Sequence, residues 1–220
     1  MADAERVWTI VVGGGSGRRF GSLKQYEQLG DRRVIDHAHA AADAMSDGTV
    51  IVVPPEDADR ERGIAGGATR SASVRAGLDA VPPDATIILV HDAARPFAGT
   101  DLYGRVIQAV VAGADGAIPG IPVADTIKTF EPTSDGRVVV GTPDRSRLIA
   151  VQTPQGFRAD VLRAAHRGDD DATDDAALVE RAGGRVVVVD GDQDNRKITH
   201  PDDLTWAREL LATRSDAGGA

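Results

Sequence analysis

Four glycines fall within five positions in Gly13-Gly14-Gly15-Ser16-Gly17, and Arg18, Arg19, Gly21 and Lys24 follow. Glycine tolerates positive φ and lets backbone N–H groups come close to an anion. Two guanidinium groups add forked donors and the lysine adds a compact point charge, so the segment suits a triphosphate. It lacks the Gly-Lys-Ser/Thr of a Walker A loop. It contains Gly15-x-Gly17-x-x-x-Gly21 rather than a strict G-x-G-x-x-G, so a dinucleotide site has to be weighed. Such a site wants an acidic residue at the end of the second strand to hold a ribose. The sequence has Val53-Pro54-Pro55 there, which counts against a nicotinamide-dependent oxidoreductase. The plain alternative is a structural glycine turn with a solvated basic face.

The composition narrows the chemistry. The chain of 220 residues has no cysteine, which removes thiolate nucleophiles, disulfides and Cys-ligated zinc together. Of five histidines, His37 and His39 are two apart on a helical segment and do not share a face; no metal is assigned to any of them. The formal charge of −9 repels nucleic acid and anionic lipid, so neither is an expected partner. A phosphate site on this chain has to concentrate positive charge locally against the global field. No apolar run approaches the roughly 20 residues of a membrane span. The segment MADAERVWTIVV is wrong for a secretory signal, and the expected location is the cytoplasm.

These residues need elements to position them. Short apolar runs recur at Trp8–Val12, Thr49–Val53, Thr86–Val90, Ala117–Pro119, Leu148–Val151 and Arg185–Val189. Several are rich in Val and Ile with little alternation, as for strands buried on both faces. Between them lie segments with Ala and Leu at helical spacing: Val34–Met45, Ser71–Val81, Leu102–Ala112, Ala159–Arg167, Asp174–Arg181 and Asp202–Leu211. The alternation predicts an α/β fold with a mostly parallel sheet, whose ligands bind at the carboxyl ends of the strands. One stretch, Asp125–Arg145, breaks the alternation and reads as a projecting β-hairpin arm around Pro132, Asp135 and Gly136. The expected organisation is one domain over residues 1–220, with a frayed small-residue tail over Thr213–Ala220.

With the glycine loop, further segments carry a family resemblance. Gly66-Gly67-Ala68-Thr69-Arg70-Ser71-Ala72-Ser73-Val74 resembles a GG-x-x-R-x-x-SV stretch, and His91-Asp92-Ala93-Ala94-Arg95-Pro96 an HDAARP motif. Asp125-Thr126-Ile127-Lys128, Gln152-Thr153-Pro154-Gln155, Thr173-Asp174-Asp175-Ala176 and Asp194-Asn195-Arg196-Lys197-Ile198-Thr199 follow in order. Together they resemble the 2-C-methyl-D-erythritol 4-phosphate cytidylyltransferases. The resemblance implies a Rossmann-like nucleotidyltransferase fold, Mg²⁺ dependence and a homodimer in which each β-arm helps to close its neighbour's site. It implies attack by the acceptor's phosphate on the α-phosphorus of CTP. The chain departs from the family at Val12-Gly13-Gly14-Gly15, where Pro-Ala-Ala-Gly is usual, at Ala68, where many members carry Asp, and at Arg196, in place of an aliphatic residue.

The same resemblance implies roles. Arg19 and Lys24 stabilise the α-phosphate, Lys197 neutralises phosphate nearby, and Arg18 and Gly15 hold the triphosphate. Gly13, Gly14, Gly67 and Ser73 read the cytosine, although Ser73 also reads as a helix-face serine. Asp92 and Asp194 hold Mg²⁺ from two strand ends; both also read as turn aspartates. Arg95, Thr153 and Thr173 of one subunit, with Thr126 and Arg145 of the partner's arm, hold the polyol phosphate; Thr173 alternatively caps a helix. Three rival functions remain: a ribitol-5-phosphate cytidylyltransferase, the oxidoreductase, and a CTP-binding paralogue without turnover.

Overall fold

The computed structural model describes residues 5–15, 20–168 and 170–218, with side chains through Arg214. Its strands are β1 (Val7–Val12), β2 (Gln28–Leu29), β3 (Arg32–Arg33), β4 (Gly48–Val53), β5 (Ile64–Ala65) and β6 (Ile87–Asp92). Then come β7 (Gly116–Pro122), β8 (Thr129–Thr133), β9 (Gly136–Gly141), β10 (Ile149–Val151), β11 (Gln155–Arg158) and β12 (Val186–Asp190). The helices are α1 (Val34–Asp43), α2 (Ala58–Glu61), α3 (Arg70–Ala80), α4 (Thr100–Val111), α5 (Ala159–Ala165), α6 (Asp175–Arg181) and α7 (Pro201–Gly218).

Eight strands form one sheet, in the order β10-β7-β11-β6-β1-β4-β5, with β12 on the other side of β7. β1 runs parallel to both β4 and β6, and every residue of β6 is buried. That explains why these strands read as unbroken apolar runs: both faces are covered. One face packs under α1 and α4, through Ile35, Ala38, Leu102 and Val106. The other packs under α3, α5 and α6, through Val74, Leu78, Leu162 and Val179.

Two departures from the sequence reading have clear causes. β11 lies antiparallel between β6 and β7. It contains Gln155, Gly156 and Arg158, so it carries no apolar run to announce it; both its neighbours impose the extended form. The tail expected to fray from Thr213 is instead helical through Gly218. Leu204, Ala207, Leu210 and Leu211 of α7 pack into a third, separate apolar cluster, which offsets the poor helix propensity of the last turns. The arm is present as the β8–β9 hairpin. Its paired strands span a shorter stretch than Asp125–Arg145, and every residue of β8 is exposed.

Candidate active site

The loop after β1 begins inside the sheet. The Gly13 N–H donates to Val52 O at 2.7 Å, and a Cβ on Gly13 would stand 3.2 Å from Ile35 Cδ1. Gly14 faces α3, where an added Cβ would lie 3.4 Å from Ser73 Oγ. That hydroxyl accepts from the Gly67 N–H at 3.2 Å and donates to Thr69 O at 3.0 Å. Thr69 caps α3 by accepting from the Ala72 N–H. The structure thus brings together Gly14, Gly67 and Ser73. Gly15 is exposed with open space beside it. Arg18 and Arg19 lie outside the described residues. Lys24 opens a short 3₁₀ turn, Lys24–Tyr26, and its Nζ donates to Ile198 O at 2.6 Å. Lys24 therefore reaches the segment that carries Lys197.

Asp92 ends β6 and is the electrostatic centre. Its Oδ2 accepts from Lys197 Nζ at 2.5 Å, and its Oδ1 lies 3.5 Å from Arg70 Nε. Burial alone would raise the carboxyl's pKa. The charges of Lys197 and Arg70 and the Lys197 hydrogen bond outweigh it, and the group is held well below the usual carboxylate range. Arg70 continues inward to Asp175 Oδ2 at 2.7 Å, and Asp175 Oδ1 meets His166 Nε2 at 3.1 Å. Burial opposes the Arg70 charge, but Asp175 and Asp92 more than restore it.

The HDAARP segment is braced from below. His91 Nε2 donates to Arg95 O, so its Nδ1 accepts, and the Thr153 hydroxyl donates to it at 3.1 Å. The same hydroxyl accepts from the Asp92 N–H at 3.0 Å. Burial pushes the His91 imidazole down to about 4, so the ring is neutral near pH 7. Both capacities of the Thr153 hydroxyl are used inside the fold, where the residue is buried; it orients the backbone of Asp92. Arg95 donates to Asn195 O at 2.7 Å and Val151 O at 3.2 Å, which joins β10 to the loop after β12. Its buried Nε has no partner among the described residues.

The remaining expected residues are more dispersed. Thr173 is exposed, and the cap of α6 is Asp174, which accepts from the Ala177 N–H. Thr126 and Arg145 are exposed at the root of the arm, where Arg145 donates to Ala124 O. Asp194 is turned towards Arg214, whose Nη2 donates to its Oδ2 at 2.8 Å. Among the described residues no group of three or more His, Asp or Glu is arranged to hold a metal ion. Sequence reasoning gave no role to Arg70, Asp175, Asn195 or Gln152. Asn195 donates to Thr153 O, and Gln152 both donates to Asp192 O and accepts from the Asp192 N–H. All four stand in the quoted motifs, but their spacing does not reveal that residues 70 and 175 form one ion pair.

A mostly parallel sheet whose strand ends carry a glycine loop and a carboxylate flanked by Lys and Arg points to a nucleotidyltransferase. Comparison with known proteins narrows the class. The family model of 2-C-methyl-D-erythritol 4-phosphate cytidylyltransferase (IspD) matches residues 7–213, and the chain belongs to that family. A relative of that name from Streptomyces coelicolor is 42% identical, over 95% of this chain and 86% of its own length. One from Nocardia farcinica is 43% identical, over 98% and 99%. The crystal structure of 4-diphosphocytidyl-2C-methyl-D-erythritol synthase from Anaerococcus prevotii superposes with a TM-score of 0.82 at 28% identity, covering 96% of this chain and 100% of that one.

Proposed function

We propose that the enzyme transfers CMP from CTP to 2-C-methyl-D-erythritol 4-phosphate, giving 4-diphosphocytidyl-2-C-methyl-D-erythritol and pyrophosphate, in isoprenoid precursor synthesis. The observation that carries the reading is Asp92 at the end of β6, clasped by Lys197 and Arg70, with Lys24 held to Ile198 beside it. An acceptor phosphate oxygen forms the new bond to the α-phosphorus, and the bond to the β-phosphate bridge breaks. The nucleophile belongs to the substrate, so the protein's task is positioning and charge stabilisation. Lys24, Lys197 and Arg19 meet the charge that grows on the α-phosphate, and Arg18 and the N–H groups of the glycine loop hold the β- and γ-phosphates. Gly13, Gly14, Gly67 and Ser73 enclose the cytosine.

A magnesium ion fits this donor set. Mg²⁺ commonly takes one or two carboxylates and completes its shell with phosphate oxygens and water, and Asp92 offers an ionised carboxylate at the strand end. When bound, the metal would neutralise phosphate charge. Asp92 is its holder in this reading, and Asp194 would join it only by leaving Arg214. Arg95 and Thr173 face the acceptor from one subunit, and Thr153 acts by fixing Asp92. Thr126 and Arg145 come from a partner's arm in a homodimer, a reading supported by the exposed Phe130, Val138, Val139 and Val140 on the hairpin. The cysteine-free chain suits the cytoplasm, and no helix among the described residues is long and apolar enough to cross a membrane.

The test is pyrophosphate release from CTP and Mg²⁺ with methylerythritol phosphate or ribitol 5-phosphate at equal concentration. Faster release with the first is expected. Faster release with the second would reassign the acceptor, and CTP binding without release would make the chain a non-catalytic paralogue.

A further inference from the structure

Lys24, Arg95 and Lys197 sit on separate segments, and one element packs against residues close to each of them. α7 closes an apolar cluster with Leu29, Val34, Phe97 and Ile198, with Phe20 packed at its edge. Phe20 follows Arg19, Leu29 lies just after the Lys24 turn, Phe97 follows Arg95, and Ile198 follows Lys197. The helix also grips these loops by polar contacts. Asp203 accepts from the N–H groups of Thr199 and His200 at 2.8 and 2.7 Å, and Arg208 Nη2 donates to Gln28 O at 3.0 Å. Gly30, at φ +65°, forms the turn between β2 and β3, and a Cβ there would stand 2.5 Å from Leu211 Cδ2. The helix therefore lies directly on that turn.

Two contacts reach the Lys197 loop itself. The Arg196 guanidinium stands 4.6 Å from the Trp206 ring centre, and Trp206 meets Phe97 edge-on at 5.8 Å. Arg214 stacks 5.2 Å from the Phe97 ring centre while its Nη2 binds Asp194. Arg196, where the chain departs from the family pattern, thus stacks near Trp206, and Arg214 of the segment expected to fray holds Asp194. A lysine displaced by about 1 Å loses much of its stabilisation of a transition state, so a brace common to all the loops has a catalytic consequence without touching substrate.

We infer that α7 is the brace that sets Lys197 and Lys24 in register, with Trp206 and Arg214 as positioning residues and Asp194 as Arg214's anchor. This rests on the proposed transferase reading. An ion pair as exposed as this one does little by itself, but its Arg214 also lies over the Phe97 ring, and the neighbouring Arg196 lies over Trp206. Arg214→Ala should lower kcat about fivefold with KM for CTP nearly unchanged, and Asp194→Asn should do the same. The double variant should be no worse than either single one, because residues acting as one unit are not additive. The Mg²⁺ concentration for half activity should not move in any of them. Trp206→Leu should cost about tenfold, with Trp206→Phe restoring most of it.

A readout independent of turnover separates this from the reading it rests on. Amide hydrogen exchange in the ligand-free protein should quicken about fivefold over residues 191–199 in Arg214→Ala, with residues 87–90 unchanged. Unchanged exchange at 191–199, additive losses in the double variant, or a raised Mg²⁺ requirement confined to Asp194→Asn would each overturn the brace. Failure of the wild type to release pyrophosphate, with the exchange pattern as expected, would overturn the transferase reading and leave the brace standing.

Discussion

The strand-end network around Asp92 and the β8–β9 arm are built on opposite terms. In the first, the charges are matched inside the chain: Lys197 and Arg70 on Asp92, then Asp175 on Arg70, with the His166 ring hydrogen-bonded to Asp175. In the second, Phe130, Val138, Val139 and Val140 are each about half exposed, and among the described residues the hairpin strands pair only with each other. An isolated two-stranded hairpin is marginal in water. The comparison teaches that the Asp92 network is preorganised within one chain, while the arm is left uncovered by it; in the proposed dimer the neighbouring subunit would cover the arm.

Four experiments sharpen or break this contrast. The largest effect belongs to Asp92→Asn, which removes the centre of the network; kcat/KM in the pyrophosphate assay should fall about 10³-fold, as when a main electrostatic group is lost. Arg70→Ala should come next. It leaves Asp175 buried opposite His166 alone, and breaking such a pair costs about 3–5 kcal/mol; urea unfolding should show the loss, with Arg70→Lys recovering part. On the arm, Val139→Glu should leave the far-UV circular dichroism of the folded chain unchanged, halve the mass seen by sedimentation and lower activity about a hundredfold. A dimeric, active Val139→Glu protein would sever the arm from the site.

The smallest effect is a pH dependence. The unfolded His91 takes up its proton near its ordinary value of about 6.5, and in the fold near pH 4. Between these values the unfolded chain binds more protons, so stability falls as pH drops through that window. From pH 6.5 to 5 the loss is about 2 kcal/mol. His91→Asn should flatten the slope there. Asp92 has a depressed folded pKa, so its own contribution is lost mostly below its unfolded value near 4, at the acid end of the His91 window.

Much of the frame was legible in the sequence because buried parallel strands leave an unbroken apolar signature. Val7–Val12, Gly48–Val53 and Ile87–Asp92 match the expected runs within a residue or two. β11 was not legible: Phe157 is its one large apolar residue, set among Gln155, Gly156 and Arg158, and its form comes from the strands on either side. The position of the cations was legible as types in motifs, but their partners were not. Arg70 and Asp175 meet across 105 residues, and Thr153, whose hydroxyl suggested a substrate contact, instead supports Asp92. The last helix was legible over Asp202–Leu211, but its continuation to Gly218 was not, because Ala, Thr, Ser and Gly near its end give little helical signal.

A crystal structure with CTP and Mn²⁺ in place of Mg²⁺ tests the central claim most directly, because the metal reports its own position by anomalous scattering. The account predicts the ion on the Asp92 carboxylate and the α-phosphate between Lys24 and Lys197. A triphosphate bound elsewhere, with Lys197 still closed on Asp92 and no ion there, would contradict it.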